Sequence, residues 1–114
     1  MIAFNLPLTI TKGVTFGPVI FTFKQADTSP MPLTNWVVLA YARRTKDAKE
    51  KIDLVPVITD AANGEVRIQF TDEETLVLMG GEYSWDMVLQ TPTGERLGPY
   101  FEGKLKVKEI NTHG

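Results

Sequence analysis

The chain has 114 residues, 43% of them apolar and 23% charged, with a formal net charge of −2 and no cysteine. That length suits one domain with one core, the charge gives no general attraction to nucleic acid or anionic lipid, and disulfides and thiolate metal sites are excluded. The opening Met1-Ile2-Ala3-Phe4-Asn5-Leu6-Pro7 lacks the charged start and apolar core of an export signal. No run approaches about 18 apolar residues, so the sequence reads as a soluble protein made in the cytoplasm.

Met1 to Phe4 form an apolar arm. Leu6, Leu8 and Ile10 then alternate with Pro7, Thr9 and Thr11 up to Gly13, the pattern of an edge strand, since proline cannot donate to a central ladder. After a break at Gly17-Pro18, Val19 to Lys24 is rich in β-branched and aromatic residues and reads as a central strand. Gln25 to Asn35 holds Asp27, Ser29, Pro30 and Pro32 and is predicted to cross from one sheet to the other. Trp36 to Arg44 is the longest apolar run; both of its faces are expected to be covered at its start, with one emerging into solvent at its end. Thr45 to Lys51 is charged enough for a solvated loop or a short helical turn.

Ile52 to Thr59 reads as an edge strand interrupted by Pro56, and Asn63-Gly64 supplies the turn into the strictly alternating Glu65 to Phe70. Thr71, followed by Asp72, Glu73 and Glu74, has the form of a capping box, and the helix it opens is stopped within about two turns by Gly80-Gly81. From Gly81 to Gln90, Tyr83, Trp85, Met87 and Leu89 alternate with Ser84, Asp86 and Gln90, and only Val88 is apolar on the second face. Thr91-Pro92-Thr93-Gly94 turns the chain toward Phe101 to Lys108, where Phe101, Leu105 and Val107 alternate with Glu102 and three lysines. About seven strands with turn signals every dozen residues predict an all-β, immunoglobulin-like antiparallel β-sandwich over residues 1–114, with one short helical crossover. A five-stranded barrel is the alternative.

Residues suited to chemistry are few. The one histidine, His113, stands next to last and reads as a solvated tail residue. Asp72, Glu73 and Glu74 are candidate ligands for a hard cation, but a helix N-terminus favours acids there anyway. Lys104, Lys106 and Lys108, with Arg96, make a basic stripe, which on an exposed strand face keeps a sheet soluble and discourages edge pairing. Trp36, Tyr83 and Trp85 are assigned to the core and its corner rather than to a sugar platform. Tyr100 and Phe101 lie beside the Gly98-Pro99 turn, and as strand neighbours they point to opposite sides, so at least one ring is expected outside the main core. Ile2, Phe4, Leu6, Tyr100 and Phe101 are therefore the candidate protein-contact residues, with no catalytic, cofactor or metal residue assigned.

Several stretches together resemble small immunoglobulin-like structural proteins of tailed bacteriophages, from baseplate, neck and head-decoration components. They are Leu6 to Gly13, the loop leading into Trp36 to Arg44, Asn63-Gly64-Glu65-Val66-Arg67-Ile68, Gly81 to Met87, and Gly94 followed by Gly103-Lys104-Leu105-Lys106-Val107. The resemblance implies a non-enzymatic virion protein that contacts other virion proteins and copies of itself, with no cofactor, nucleic acid, membrane or small-molecule substrate. Tyr83 is similar to the tyrosine corner of immunoglobulin-like domains, and Trp85 stands where true immunoglobulins carry a disulfide cysteine. A free-standing module for a glycan or peptide is the alternative reading.

Overall fold

The alternation from Gly81 to Gln90 produces the strand on which the molecule is built. Its inward residues Tyr83, Trp85, Met87 and Leu89 are all buried, while Glu82, Ser84 and Asp86 are exposed. The computed structural model describes residues 3–45 and 51–109, so Met1, Ile2, His113 and most of the charged 45–51 segment lie outside the described residues. In chain order the elements are β1 (Phe4–Asn5), β2 (Leu8–Thr11), β3 (Phe16–Thr22), β4 (Val37–Arg43), β5 (Ile52–Asp53), β6 (Val57–Asp60), β7 (Glu65–Phe70), α1 (Asp72–Leu76), β8 (Gly81–Gln90) and β9 (Arg96–Lys108).

Two sheets face each other across one core, giving the all-β sandwich, with one short helix among the described residues. The larger sheet has β9 between β8 and the β1/β2 edge, with β4 and β5 beyond β8; the smaller runs β3-β7-β6. Leu8, Ile10, Leu105 and Val107 from one edge, Ala40 and Ala42 from β4, and Phe21, Val66, Ile68 and Phe70 from the smaller sheet join the inward face of β8 in the core.

Pairing is antiparallel except where β1 and β2 run parallel to β9, with Leu8 beside Leu105 and Ile10 beside Val107. No turn joins these two ends of the chain, so nothing local imposes the antiparallel sense; the match of apolar rows sets the register instead.

Three expectations need correction. The strand after Gly17-Pro18 is β3, which starts earlier, absorbs the break as an irregularity between Phe16 and Val19, and lies at the edge of its sheet. The Ile52 to Thr59 segment is two strands: β5 pairs with β4 in one sheet and β6 with β7 in the other. Leu54 plunges into the core between them, Val55 takes φ 47°, and Pro56 cannot continue a ladder, so the chain switches sheets there. On β4, Val38, Ala40 and Ala42 are buried, but the opposite face is open from its first residue, Val37, and Trp36 precedes the strand and is only partly buried against the core.

The Gln25 to Asn35 loop crosses between the sheets as expected. Gly64 accommodates it: at φ 67°, a Cβ there would lie 2.5 Å from the Met31 carbonyl oxygen and 2.7 Å from that of Phe23.

The capping box forms in full. Thr71 Oγ1 accepts the Glu74 N–H at 3.2 Å, and Glu74 Oε1 accepts the Thr71 N–H at 2.8 Å. The helix ends at Leu76, before the glycines. Thr75 is fully buried; its hydroxyl accepts the Gly13 N–H at 3.0 Å and lies 3.0 Å from the carbonyl oxygens of Val14 and Asp72. This one side chain ties the crossover to the turn between β2 and β3. Thr75→Val keeps the shape and strands the Gly13 N–H, so it should lower stability by about 1–3 kcal/mol. A urea titration should show a lower midpoint at unchanged slope, with Thr75→Ser close to wild type.

Candidate functional site

Tyr100 and Phe101 come to the same side of β9 because the strand bulges. Met87 faces Phe101 and Leu89 faces Leu97, so Gly98, Pro99 and Tyr100 oppose the single residue Val88. Alternation breaks across such a bulge. The expectation of a Gly98-Pro99 turn is therefore corrected, since both residues lie within the strand; Tyr100 and Phe101 are each half-buried and pack against the core from outside it, in keeping with the expectation that at least one ring lies outside.

Phe23 meets Tyr100 edge-on at 5.3 Å and Phe101 at 5.4 Å, and Phe101 also meets Phe21 at 5.0 Å. Each such pair contributes roughly 0.5–1.5 kcal/mol beyond its buried area. Phe4, brought in by the pairing of β1 with β9, stacks on Phe101 at 5.9 Å while the residue stays 73% exposed. Phe4, Phe23, Tyr100 and Phe101 thus line a groove of about 480 Å³, in which Lys24 is the only charged lining residue among the described residues. Burial pushes the Tyr100 phenol above its ordinary pKa. In the adjoining loop, hydrogen bonds from the Ser29 hydroxyl and N–H hold the Asp27 carboxyl below its ordinary value.

Of the predicted contact residues, the structure unites Phe4, Tyr100 and Phe101. Leu6 serves differently: its N–H donates to the Glu102 carbonyl at 2.8 Å and its own carbonyl accepts Trp85 Nε1–H at 2.9 Å, which anchors the arm. Ile2 lies outside the described residues.

A second apolar surface escaped the sequence reading. The Tyr83 hydroxyl donates to the Met79 carbonyl at 2.6 Å, as the tyrosine-corner likeness implies, and the Arg44 guanidinium donates to the Gly80 carbonyl at 2.7 Å while lying over the Tyr83 ring. So held, the end of α1 and the residues after it expose Leu76 (59%), Val77 (82%) and Met79 (62%), with Val14 close by. The available signal was the apolar run Leu76-Val77-Leu78-Met79, too long for so short a helix to bury.

The outer face of the larger sheet carries a polar concavity of about 540 Å³. Across it the register aligns Tyr41, Asp86 and Glu102 in one row, and Arg43, Ser84 and Lys104 in the next. Charges of both signs alternate there, and Lys106 faces Glu82 in the ladder, so the lysine stripe is interleaved with acids. Glu74 is engaged in its capping box, and among the described residues no three His, Cys, Asp or Glu side chains converge to hold a metal.

No protein-family profile matches the sequence, and no curated protein matches it. Among solved structures 15 chains match in fold. One is the crystal structure of InlP from Listeria monocytogenes, at 14% identity and a TM-score of 0.47, covering 91% of this chain. The alignment takes in 26% of the length of that protein.

Proposed function

We propose that this protein is a non-enzymatic structural component of a phage-like particle, which works by repeated contacts with copies of itself and with other particle proteins. The observation that carries the reading is Phe4, a residue 73% exposed whose ring is nonetheless stacked on Phe101 in the lining of an aromatic groove. An exposed aromatic in that setting loses little by being ordered and gains apolar burial, at about 25 cal/mol per Å², when a partner covers it. The apolar corner at Leu76 to Met79 adds a second such surface, and the outer edges of β3 and β6, unpaired among the described residues, offer backbone groups for strand addition. The phage setting comes from the sequence resemblance.

Sedimentation velocity across a wide concentration range, alone and with the purified proteins encoded beside it, tests the reading. Concentration-dependent assembly or a defined complex with one of those proteins is the expected result. A monomer throughout, with no complex, overturns it. Saturable binding on a glycan or peptide array that Tyr100→Ala abolishes, without any effect on assembly, would favour a free-standing binding module instead.

A further inference from the structure

We propose that copies of this chain join head to tail, with the Leu76–Met79 corner of one copy seated in the aromatic groove of the next. The inference rests on the assembly reading above and specifies its geometry. The two apolar surfaces differ in form: the corner projects, with Val77 82% exposed, and the groove is a recess of about 480 Å³. Neither is the complement of its own kind, since two recesses enclose a void and two projections meet at points. Each is the complement of the other.

Their placement prevents them from meeting within one molecule. Val14, beside the corner, precedes the seven residues of β3, and Phe23, in the groove, follows them, a separation of about 23 Å along the strand. The contact must therefore join different copies. Joined head to tail, with each copy giving its corner to one neighbour and its groove to another, the contact is heterologous and propagates as a ring or a filament.

Charge agrees with this pairing. Asp72, Glu73 and Glu74 are exposed beside the corner, in a helix with no basic residue in its last turn, whereas among the described residues the one charged residue lining the groove is Lys24. Asp27, close to Lys24 in sequence, is not among the residues that line the groove. The corner is also preorganised by Tyr83, Arg44 and Thr75, so seating it costs little conformational entropy.

The test uses two exposed-surface variants of the full chain, each first shown to melt like wild type. Val77→Asp/Met79→Asp blocks the corner and Phe4→Asp blocks the groove, with Phe4→Ser as a milder substitute should Asp disturb β1. By sedimentation velocity, wild type should assemble past the dimer, each variant alone should stay monomeric at concentrations at least ten-fold higher, and an equimolar mixture should form a heterodimer and nothing larger. Lys24→Glu should weaken wild-type assembly several-fold. If one variant alone still self-associates as wild type does, or if the mixture stays monomeric, the head-to-tail contact is overturned while the assembly function stands. A wild-type monomer that binds neighbouring particle proteins has the same meaning; one that binds nothing overturns both.

Discussion

Trp85→Ala should cost about 3–5 kcal/mol of folding stability, the range for deleting a large buried aromatic. Trp85 is 2% exposed at the middle of β8, meets Phe21 edge-on at 5.8 Å, and donates its indole N–H to the Leu6 carbonyl at 2.9 Å. Alanine leaves a cavity between the sheets and removes the donor that holds the first strands against β9. A domain of ordinary stability has about 5–15 kcal/mol in hand, so the variant should sit near the threshold of folding at 37 °C. Urea denaturation followed by far-UV circular dichroism measures this without relying on tryptophan emission. Trp85→Phe, which keeps most of the packing and loses the hydrogen bond, should cost about 1–2 kcal/mol. A Trp85→Ala midpoint indistinguishable from wild type would mean that the ring is not part of the core.

Gly103→Val should detach the start of the chain. A Cβ at Gly103 would lie 2.6 Å from the Leu6 carbonyl oxygen and 2.9 Å from the Leu6 carbonyl carbon, both backbone atoms that cannot swing aside. Relief requires β1 and β2 to move off β9. That movement exposes Leu8 and Ile10, breaks the Trp85 to Leu6 hydrogen bond, and separates Phe4 from Phe101. The loss should amount to about 2–4 kcal/mol, within the range of severe single substitutions. Amide exchange gives the specific readout: protection in Thr9 to Thr11 should collapse while the β3–β7 ladder keeps its own. Self-association should fall with it, because the groove loses a wall. Retained protection across β2 would show that the close approach at Gly103 is not needed.

Much of this architecture can be read from local pattern. The alternation of Tyr83, Trp85, Met87 and Leu89 specifies a half-buried strand, and the turn at Thr91 to Gly94 returns the chain to pair with it. Thr71 and Glu74, three residues apart, define a helix start from chain-local hydrogen bonds alone. The hydroxyl of Tyr83 finds its partner four residues back. In each case the relevant physics acts between residues close in sequence, so the pattern is sufficient.

The departures all involve partners distant in the chain. Nothing near Ile52 to Thr59 indicates that its two halves pair in different sheets, because that depends on Leu54 finding the core beside Ala40. Tyr100 turns toward Phe101 only because β9 has two more residues than β8 in the stretch where they pair, a mismatch invisible in either strand alone.

The candidate groove divides in the same way. Phe4, Tyr100 and Phe101 were recognisable as surplus aromatics at the chain start and beside a Gly-Pro pair. Their union into one surface with Phe23 follows from the parallel docking of β1 on β9 and from the bulge. The corner of Leu76, Val77 and Met79 went unrecognised because an apolar run after a helix ordinarily turns inward; here Tyr83 and Arg44 hold its backbone so that it faces out. Periodicity, caps and turns thus settle which segments are strands and where the single helix begins, since these rest on contacts within a few residues. Sheet order, strand direction at the chain start and the two apolar surfaces depend on long-range packing, where one bulge or one close glycine redirects whole side chains.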